Sequence, residues 1–383
     1  MAALLHDVGH GLCSHLSEQI YEAHTDLDEF KSKPEYVRNS PGEILSYLIV
    51  KSPKFRDWFA WISTECKVSI DLDAVSDMIL GRHPDNKKYY LSQIVSSPYD
   101  ADKLDYIARD SYYCGLALTV DLPRFYSMIS TAELEGYRTL VLRSYVPLEQ
   151  ILFSKMTLYG SVYHHHKVKC LDHMLRSVIT HISSNSSTCA FTVRGKTVSF
   201  QEPVEFLYVT DDEFFNDSSV DGDEFVKASL ARFRRRDLLS RAVEISRRTV
   251  ENWDDHVRKG LIDLSAKHGR LADIERLIHD SLPQKTKDAC ASGEVLLSVP
   301  PPPKLKGGHA FIQTDSSAKA ESIEGFFPLE QWNDSYSHSK WRSFVFAPLP
   351  HRTAVRTSAI AVLKSELGLQ IDPTISDQAC HIS

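Results

Sequence analysis

Residues 4–15 read Leu-Leu-His-Asp-Val-Gly-His-Gly-Leu-Cys-Ser-His, and this stretch decides how the fold is interpreted. It places an imidazole, His6, directly before a carboxylate, Asp7. Adjacent side chains on a helix point about 100° apart, so they converge only on something that lies between them. A metal ion suits that geometry, and a mixed set of nitrogen and oxygen ligands suits Zn²⁺, Mn²⁺, Fe or Ni better than Ca²⁺. The two glycines of the stretch allow the backbone to turn His10 and His15 toward the same cavity.

A second group of charged residues lies at 99–116, where the chain reads YDADKLDYIARDSYYCGL. On a helix, Asp102, Tyr106 and Asp110 recur every fourth residue and share one face. Asp102 can complete the metal site, the ammonium of Lys103 can meet phosphate charge, and the other two side chains can touch a sugar or a base. Alone, a His-Asp dipeptide is common and seldom marks a site, and a helix with this charge pattern is usually a solvated face with salt bridges. Their occurrence together favours a metal site.

The bulk composition is that of an ordinary globular protein. The chain has 383 residues, of which 42% are hydrophobic and 25% charged, and its net charge is -7. This balance shows neither the basic excess typical of nucleic-acid binding nor the acidic excess typical of disorder. The seven cysteines form no CxxC pair, and no apolar run reaches the roughly 18 residues that span a bilayer. We therefore expect a cytoplasmic protein without a membrane segment, for which nucleic acid is an open but disfavoured partner.

The patterning predicts a mainly α fold, with a helical core over residues 1–182 and a smaller α+β region over 183–383. Apolar residues recur at helical spacing after Ser40 and again at 75–79. One long helix is predicted over 147–181 because apolar and polar positions alternate there with a helical period.

Short strands and helices are predicted in the C-terminal region. Residues 191–200 alternate around Arg194-Gly195 and predict a β-hairpin. The other predicted elements are strands at 295–299, 309–312 and 344–346, a linker at 300–303, and a final helix over 352–367. A helix-like basic run contains seven arginines: Arg232, Arg234, Arg235, Arg236, Arg241, Arg247 and Arg248. It is either an amphipathic helix balanced by the acidic stretch at 211–224 or a contact or ligand site.

The segments 4–15 and 99–116 resemble, in order, spacing and flanking residues, the signatures of the HD-domain deoxynucleotide triphosphohydrolases, which include dGTPase-like and SAM-and-HD-domain dNTPase-like members. The resemblance extends over residues 1–180 and implies an α-helical HD domain as the core. It also implies metal ligands at His6, Asp7 and Asp102 and catalytic roles for His10, His15 and Glu18.

The same resemblance implies cleavage of a deoxynucleoside triphosphate to a deoxynucleoside and triphosphate. It implies substrate contacts of Lys103, Tyr106 and Asp110, with Lys155 covering part of the phosphate role. A divalent metal ion (Mn, Fe, Zn, Ni or Mg) would acidify the attacking water, and His15, tuned by Glu18, would protonate the leaving oxygen. It further implies a homo-oligomer, in which the arginine run would contribute oligomer contacts or a regulatory nucleotide site.

This sequence departs from the family pattern near both signatures. The family's first metal-binding histidine lies on a helix upstream of the His-Asp pair, whereas only five residues precede His6 here. We therefore expect a chain that begins within the HD core. Gly42-Glu43 stands where the family has a His-Glu pair, and His24 is either a stand-in for that histidine or a surface residue.

A third departure lies on the later helix that closes on the nucleotide in the family. Met156 and Gly160 replace its histidine and basic residues, and the run at 164–166 is either part of that site or a partly exposed helix face. The leading hypothesis is therefore a metal-dependent phosphohydrolase acting on a nucleotide, in particular a deoxynucleoside triphosphate. The alternatives are a catalytically impaired HD protein that binds a nucleotide or a partner as a regulator, and an HD phosphodiesterase for another nucleotide.

Overall fold

The computed structural model of the chain describes residues 1–21, 29–118, 120–265, 267–301, 310–314 and 319–381. The chain divides into two compact units, and each is discontinuous in sequence. Unit 1 comprises Met1–Leu158, Phe200–Phe214 and Leu305–Gln331, and unit 2 comprises Tyr159–Ser199, Phe215–Lys304 and Trp332–Ser383. The domain division at residue 182 stays a prediction. None of the helices in the described part of the chain combines the length and apolar character needed to cross a membrane.

Helices dominate the described residues, and the predicted mainly α fold is confirmed. The helices are α1 Ala2–Leu5, α2 His15–Tyr21, α3 Pro41–Lys51, α4 Pro53–Glu65, α5 Leu72–Ile79, α6 Tyr89–Gln93, α7 Ala101–Tyr113, α8 Leu122–Met128, α9 Val146–Leu158, α10 His166–Ser184, α11 Glu224–Arg235, α12 Asp255–Ser265, α13 His268–Asp280, α14 Gln284–Lys287, α15 Leu329–Lys340, α16 Arg352–Leu367 and α17 Pro373–His381. The strands are β1 Ile129–Leu134, β2 Tyr137–Leu142, β3 Ala190–Val193, β4 Lys196–Thr197, β5 Ser218–Asp221, β6 Ser240–Ile245, β7 Leu296–Ser298, β8 Phe311–Ile312, β9 Glu321–Ser322 and β10 Ser343–Ala347. The described strands form sheets in the orders β1-β2-β8-β9, β6-β10-β7 and β4-β3-β5, and the β2-β8 pair is parallel.

The start of α3 follows from its local sequence. The Oγ of Ser40 accepts a hydrogen bond from the backbone N–H of Glu43 at 3.2 Å, and the Glu43 carboxylate accepts one from the backbone N–H of Ser40 at 2.9 Å. Two backbone donors are thereby satisfied, and Pro41 fits the first helical position because an N–H there would lack a helical partner. The helix predicted after Ser40 is confirmed, as is the one predicted at 75–79, which lies within α5.

The His-Asp segment is held against α3 and α5 in unit 1. Ala2 of α1 is buried in an apolar cluster with Val50, Phe59, Leu72, Val75 and Ile79. The backbone N–H of Gly9 donates to the Oγ of Ser46 on α3 at 2.8 Å, and a Cβ on Gly9 would lie only 2.4 Å from the backbone nitrogen of Ser46. Only glycine permits this approach, so Gly9 brings the segment directly onto α3.

Helix α7 carries the second charged segment, as predicted. Asp100 caps it, because its Oδ1 accepts a hydrogen bond from the backbone N–H of Lys103 at 2.9 Å. Leu104 and Ile107 are buried, while Asp102 lies in the first turn. Helix α9 packs against α7 within unit 1. Helix α7 therefore buries its apolar face, while Asp102 and Lys103 in its first turn stay partly exposed.

The single long helix predicted at 147–181 is wrong. Helix α9 ends at Leu158, the backbone opens into a π turn at Tyr159–Tyr163, and α10 begins at His166. His165 takes an extended conformation and caps α10, because its Nδ1 accepts from the backbone N–H of Lys167 at 3.3 Å. The apolar period continues across this break, so it does not reveal the interruption.

Unit 2 contains the β6-β10-β7 and β4-β3-β5 sheets. The hairpin predicted at 191–200 is confirmed: Arg194 and Gly195 both have positive φ, 48° and 75°, as a tight two-residue turn requires. The strands predicted near 295–299, 309–312 and 344–346 correspond to β7, β8 and β10, of which β8 lies in unit 1.

Two predictions about the C-terminal region need correction. The basic run is helical only as far as Arg235. Arg241 lies on strand β6, which pairs with β10 and contributes Ala242, Val243 and Ile245 to a buried core. The helix predicted to be the last, now α16, does end before Gly368, but α17 follows it.

Candidate metal and catalytic site

Three predicted metal ligands meet at one point of unit 1. One donor atom from each of His6, Asp7 and Asp102 lies within 4.8 Å of the others, and Nε2 of His6 is 3.2 Å from Oδ1 of Asp7. Nδ1 of His6 lies 2.8 Å from the carbonyl oxygen of Ala3, which can only accept a hydrogen bond. Nδ1 therefore carries the proton, and Nε2 offers its lone pair to the cluster, as in histidines that bind metals.

The carboxylate of Asp102 is only weakly compensated in this cluster, by His6 and by the neighbouring Lys103. Within the described part of the chain it forms no hydrogen bond or ion pair. Burial and then the negative charges of Asp7 and Asp100 raise its pKa. A divalent cation would relieve this repulsion, and one imidazole nitrogen with two carboxylates is a donor set that transition metals accept. The residues present therefore fit the divalent metal that the HD family implies.

A second polar cluster contains His10, His15 and Glu18. Nδ1 of His15 donates a hydrogen bond to Oε2 of Glu18 at 2.8 Å. The other carboxylate oxygen, Oε1, accepts from the hydroxyl of Ser40 and from the backbone N–H of Gly42, each at 2.8 Å. Both oxygens of Glu18 are thus engaged, so this cluster satisfies itself and is less suited than the first to hold a cation.

The pKa values of His15 and Glu18 are shifted in opposite directions by their contact. Burial alone would raise the pKa of Glu18, but the hydrogen bond and charge of His15, with smaller contributions from His10 and Ser40, lower it to about 2. The same hydrogen bond raises the pKa of His15 above its ordinary value of 6.5, against a smaller effect of burial. The side chain of Glu18 is only 10% exposed and that of His15 is 81% exposed. The geometry therefore fixes one edge of the His15 ring and leaves the rest open to solvent.

His10 connects the two clusters. Its Nε2 lies 3.3 Å from Oδ1 of Asp7 and 3.8 Å from Oε1 of Glu18. Its ring meets that of His15 edge-on, with centroids 5.1 Å apart, and its Nδ1 lies 3.1 Å from the hydroxyl of Ser14. The two groups of titratable side chains therefore form one continuous site.

Gly42 lies directly against the side chains of this site. A Cβ at this position would lie 2.4 Å from Oε1 of Glu18 and 2.8 Å from Nε2 of His10. Real Cβ atoms do not approach side-chain atoms that closely, so the space beside Gly42 is already occupied by these two groups. The position at which the family has a histidine here contributes a backbone N–H to Glu18 instead.

The predicted substrate-binding residues lie on α7 and α9. Lys103 pairs with Asp100, a buried carboxylate that also caps α7. Asp110 accepts a hydrogen bond from Arg109 at 3.1 Å, and Tyr106 lies on the same helix. Lys155 is buried on α9. All four of these residues thus lie in unit 1, and their contacts with a substrate stay predictions.

Sequence reasoning missed three groups that orient the site. They are the carbonyl of Ala3, the hydroxyl of Ser40 and the backbone N–H of Gly42. Ser40 was identifiable only as a helix start, since the capping pattern does not show that its hydroxyl can also donate to a carboxylate. His24 lies outside the described residues. His164, whose pKa burial lowers to about 4, belongs to unit 2.

Comparison with known proteins defines the class of this chain. The family described as the HD associated region matches residues 129–371, which is more than half of the chain. The chain therefore belongs to this family of HD-domain, dNTPase-like proteins. This membership supports placing the chain among the HD-type phosphohydrolases, and therefore in a hydrolase family.

Several curated relatives are similar at low identity. The chain is 22% identical over 356 residues to the uncharacterized protein MJ1154 of Methanocaldococcus jannaschii, covering 91% of this chain and 62% of that protein. It is 24% identical over 183 residues to the deoxynucleoside triphosphate triphosphohydrolase SAMHD1 homolog of Dictyostelium discoideum, covering 47% of this chain and 32% of that protein. It is 30% identical over 166 residues to the uncharacterized MG461 homolog of Mycoplasma pneumoniae, covering 43% and 36%. The chain thus spans less than two thirds of the length of each of these relatives.

Proposed function

We propose that this chain is a metal-dependent phosphohydrolase that cleaves a deoxynucleoside triphosphate into a deoxynucleoside and triphosphate. The observation that carries the proposal is that His10 connects two different clusters. One is the cluster of His6, Asp7 and Asp102, whose negative charge is only partly compensated, and the other is the hydrogen-bonded His15–Glu18 pair. The substrate class is supported by the similarity to the deoxynucleoside triphosphate triphosphohydrolase SAMHD1 homolog.

In this proposal His6, Asp7 and Asp102 would hold the metal. When bound, a divalent metal supplies Lewis-acid polarisation of a phosphoryl oxygen and lowers the pKa of water. The Ala3 carbonyl keeps Nε2 of His6 unprotonated and facing the cluster. The chain's own contribution is therefore to orient the ring of His6 so that Nε2 faces the cluster before the metal arrives.

The His15–Glu18 pair would deliver the proton that the leaving deoxynucleoside oxygen requires. Glu18 holds Nδ1 of His15 and raises the pKa of the ring, which favours the protonated ring as a proton source. Because Glu18 is itself anchored by Ser40 and Gly42, the ring cannot rotate without breaking a charged hydrogen bond. This arrangement suits general acid catalysis.

Lys103 and Lys155 would meet the negative charge of the triphosphate. Lys103 is paired with Asp100, so binding a phosphate requires its ammonium to exchange or share that partner. Tyr106 and Asp110, farther along the same helix, would contact the sugar.

The test is a substrate panel. Purified protein is incubated with each of the four deoxynucleoside triphosphates and with Mn²⁺ or Mg²⁺, and triphosphate release is measured by ion-exchange chromatography. We expect turnover that disappears in Asp7→Ala. Asp105→Asn is a matched control, since Asp105 is an exposed carboxylate on α7 that pairs only with Arg109 in the described contacts. Release of monophosphate or diphosphate, or turnover that survives Asp7→Ala, would refute the proposal.

A second candidate is a nucleotide-binding regulator without turnover. The observation that favours it is Gly42, where no side chain stands in for the family's histidine. The two candidates differ in the same assay: the regulator would bind a deoxynucleoside triphosphate in equilibrium dialysis with metal present but would release no triphosphate.

A further inference from the structure

Two consecutive residues of the His-Asp segment, Cys13 and Ser14, take a left-handed backbone conformation. Their φ angles are 54° and 51°, a region that residues with a Cβ seldom adopt and that persists only where surrounding contacts enforce it. Neither residue is glycine, and the two stand between His10 and His15 in the chain. Other contacts of unit 1 therefore hold this turn in place.

The turn determines where the second polar cluster lies. The carbonyl oxygens of Cys13 and Ser14 accept backbone hydrogen bonds from the first turn of α2, each at 3.1 Å. Helix α2 carries both members of the His15–Glu18 pair. The hydroxyl of Ser14 also lies 3.1 Å from the Nδ1 of His10. A change in the backbone of the turn would therefore tilt α2 and move the pair away from His10.

A segment that is distant in sequence, residues 200–214, packs on the start of this turn within unit 1. The backbone N–H of Leu12 donates to the carbonyl oxygen of Phe206 at 3.2 Å, and a Cβ on Gly11 would lie only 2.5 Å from the Cβ of Phe206. Phe206 is fully buried, and its ring contacts that of Phe200, with centroids 5.0 Å apart. This contact fixes the segment beside the left-handed turn.

Asp211 makes the polar contact between this segment and the turn. Its Oδ1 accepts a hydrogen bond from the backbone N–H of Cys13 at 2.8 Å. The flanking residues form a capping box, in which the Glu213 carboxylate accepts from the backbone N–H of Thr210 at 2.8 Å and the Thr210 hydroxyl accepts from the backbone N–H of Glu213 at 3.3 Å. The first residue of the acidic stretch at 211–224 thus projects from a fixed turn onto the candidate site.

We propose that Asp211 is a positioning residue of the candidate active site, a role that rests on the proposed phosphohydrolase function. Its carboxylate restrains Cys13 in the left-handed conformation, and the turn then directs α2 so that His15 faces the site with its Nδ1 held by Glu18. Asp211 acts through the backbone and touches neither substrate nor metal. A hydrogen bond to an ionised acceptor is among the stronger ones, so its loss frees a turn that locally prefers another conformation.

The first test compares the kinetics of the unsubstituted full chain with those of Asp211→Ala and Asp211→Asn, with metal saturating. We expect Asp211→Ala to lower kcat for triphosphate release about tenfold or more and to change KM less than about twofold, because the proposed phosphate-binding lysines are unaltered. Asp211→Asn keeps an oxygen acceptor and should retain most of kcat. Asp217→Asn is the charge-matched control, since Asp217 is exposed and has no hydrogen bond or ion pair within the described part of the chain.

A double substitution tests the proposed cause. Glycine adopts the left-handed conformation without steric cost, so adding Cys13→Gly to Asp211→Ala should recover part of the lost kcat, whereas Cys13→Gly alone should change kcat little. A loss of kcat that Cys13→Gly leaves unchanged would contradict an effect through the turn. If Asp211→Ala does not fold, Asp211→Glu takes its place, because it keeps the charge but moves the carboxylate by one methylene.

Hydrogen–deuterium exchange followed by mass spectrometry gives a measurement that does not depend on turnover. In Asp211→Ala, peptides that contain residues 11–17 should exchange at least about tenfold faster, while peptides from α7 and the thermal unfolding temperature should change little. If the unsubstituted chain releases no triphosphate, the proposed function fails, and the exchange alone decides whether Asp211 holds the turn. Unchanged exchange of residues 11–17, or an unchanged kcat in an otherwise active protein, would overturn the proposal.

Discussion

The two polar clusters of unit 1 contain similar side chains but differ in how their charges are compensated. In the first, Asp7 and Asp102 lie close together and Asp102 has no partner in the described chain. In the second, Glu18 accepts three hydrogen bonds and is buried. A carboxylate that is satisfied by the protein is suited to orient a base or acid, whereas one that is not satisfied is suited to bind a cation. The contrast supports different tasks for the two neighbouring groups: binding a cation in the first and orienting His15 in the second.

The largest effect should follow from breaking the first cluster. Asp102→Asn keeps the shape but removes one of two carboxylate charges. Changes to groups that merely support a metal ligand cost about 10- to 100-fold, so we expect a loss of activity of at least about 100-fold. Metal binding, measured by equilibrium dialysis with Mn²⁺, should weaken in parallel. Asp105→Asn, on the same helix, should change neither quantity, and an Asp102→Asn protein with normal metal affinity would contradict the assignment.

The next largest effect should follow from placing the family's histidine at position 42, beside the second cluster. In Gly42→His the new Cβ would overlap Glu18 and His10, at 2.4 and 2.8 Å in the present structure. We expect activity to fall about 100-fold, through loss of the His15 orientation, and the free energy of unfolding to fall by about 1–3 kcal/mol, as overpacking typically costs.

Gly260→Ala is the matched control for that substitution. A Cβ on Gly260 meets nothing within 4 Å, and the residue lies inside α12, so stability should stay the same or rise by up to about 1 kcal/mol. Higher activity in Gly42→His would show that this chain lacks a catalytic group rather than having rebuilt its site around glycine.

This contrast also shows what the sequence could predict. Helices α3, α5 and α7 were predictable because their apolar periods and caps are local signals, and the meeting of His6, Asp7 and Asp102 was an expectation from the resemblance between two short segments. The role of Gly42 was not predictable, since its meaning depends on where His10 and Glu18 place their atoms. The break at His165 and the strand at Arg241 were missed for a similar reason: tertiary packing overrides a continuous period or a run of like charges.

A smaller effect should follow from neutralising Glu18. Glu18→Gln keeps a hydrogen-bond acceptor but removes the charge that raises the pKa of His15. If protonated His15 is the acid, activity falls at high pH as His15 loses its proton, and the substitution should move this alkaline limb to lower pH. We expect about a tenfold loss of kcat near neutral pH.

The measurement for this variant is a kcat profile from pH 5.5 to 9 with metal saturating. Glu43→Gln is a suitable comparison, because Glu43 caps the same helix as Ser40 but makes no contact with His15 among the described residues. A profile that changes in height but not in position for Glu18→Gln would show that Glu18 positions His15 without setting its protonation.

The smallest effect should come from Ser40, and it separates orientation of Glu18 from helix stability. Ser40→Ala removes the cap of α3 and one donor to Glu18, whereas Ser52→Ala removes the cap of α4 and touches no site residue in the described contacts. Each change should lower the free energy of unfolding by about 1 kcal/mol, as loss of a serine cap does. Only Ser40→Ala should also lower kcat, by a few-fold, because Gly42 still holds Oε1 of Glu18 after the hydroxyl is gone. Equal kcat values in the two variants would mean that the backbone N–H of Gly42 suffices to orient Glu18, and that the catalytic cluster depends on α3 only for its fold.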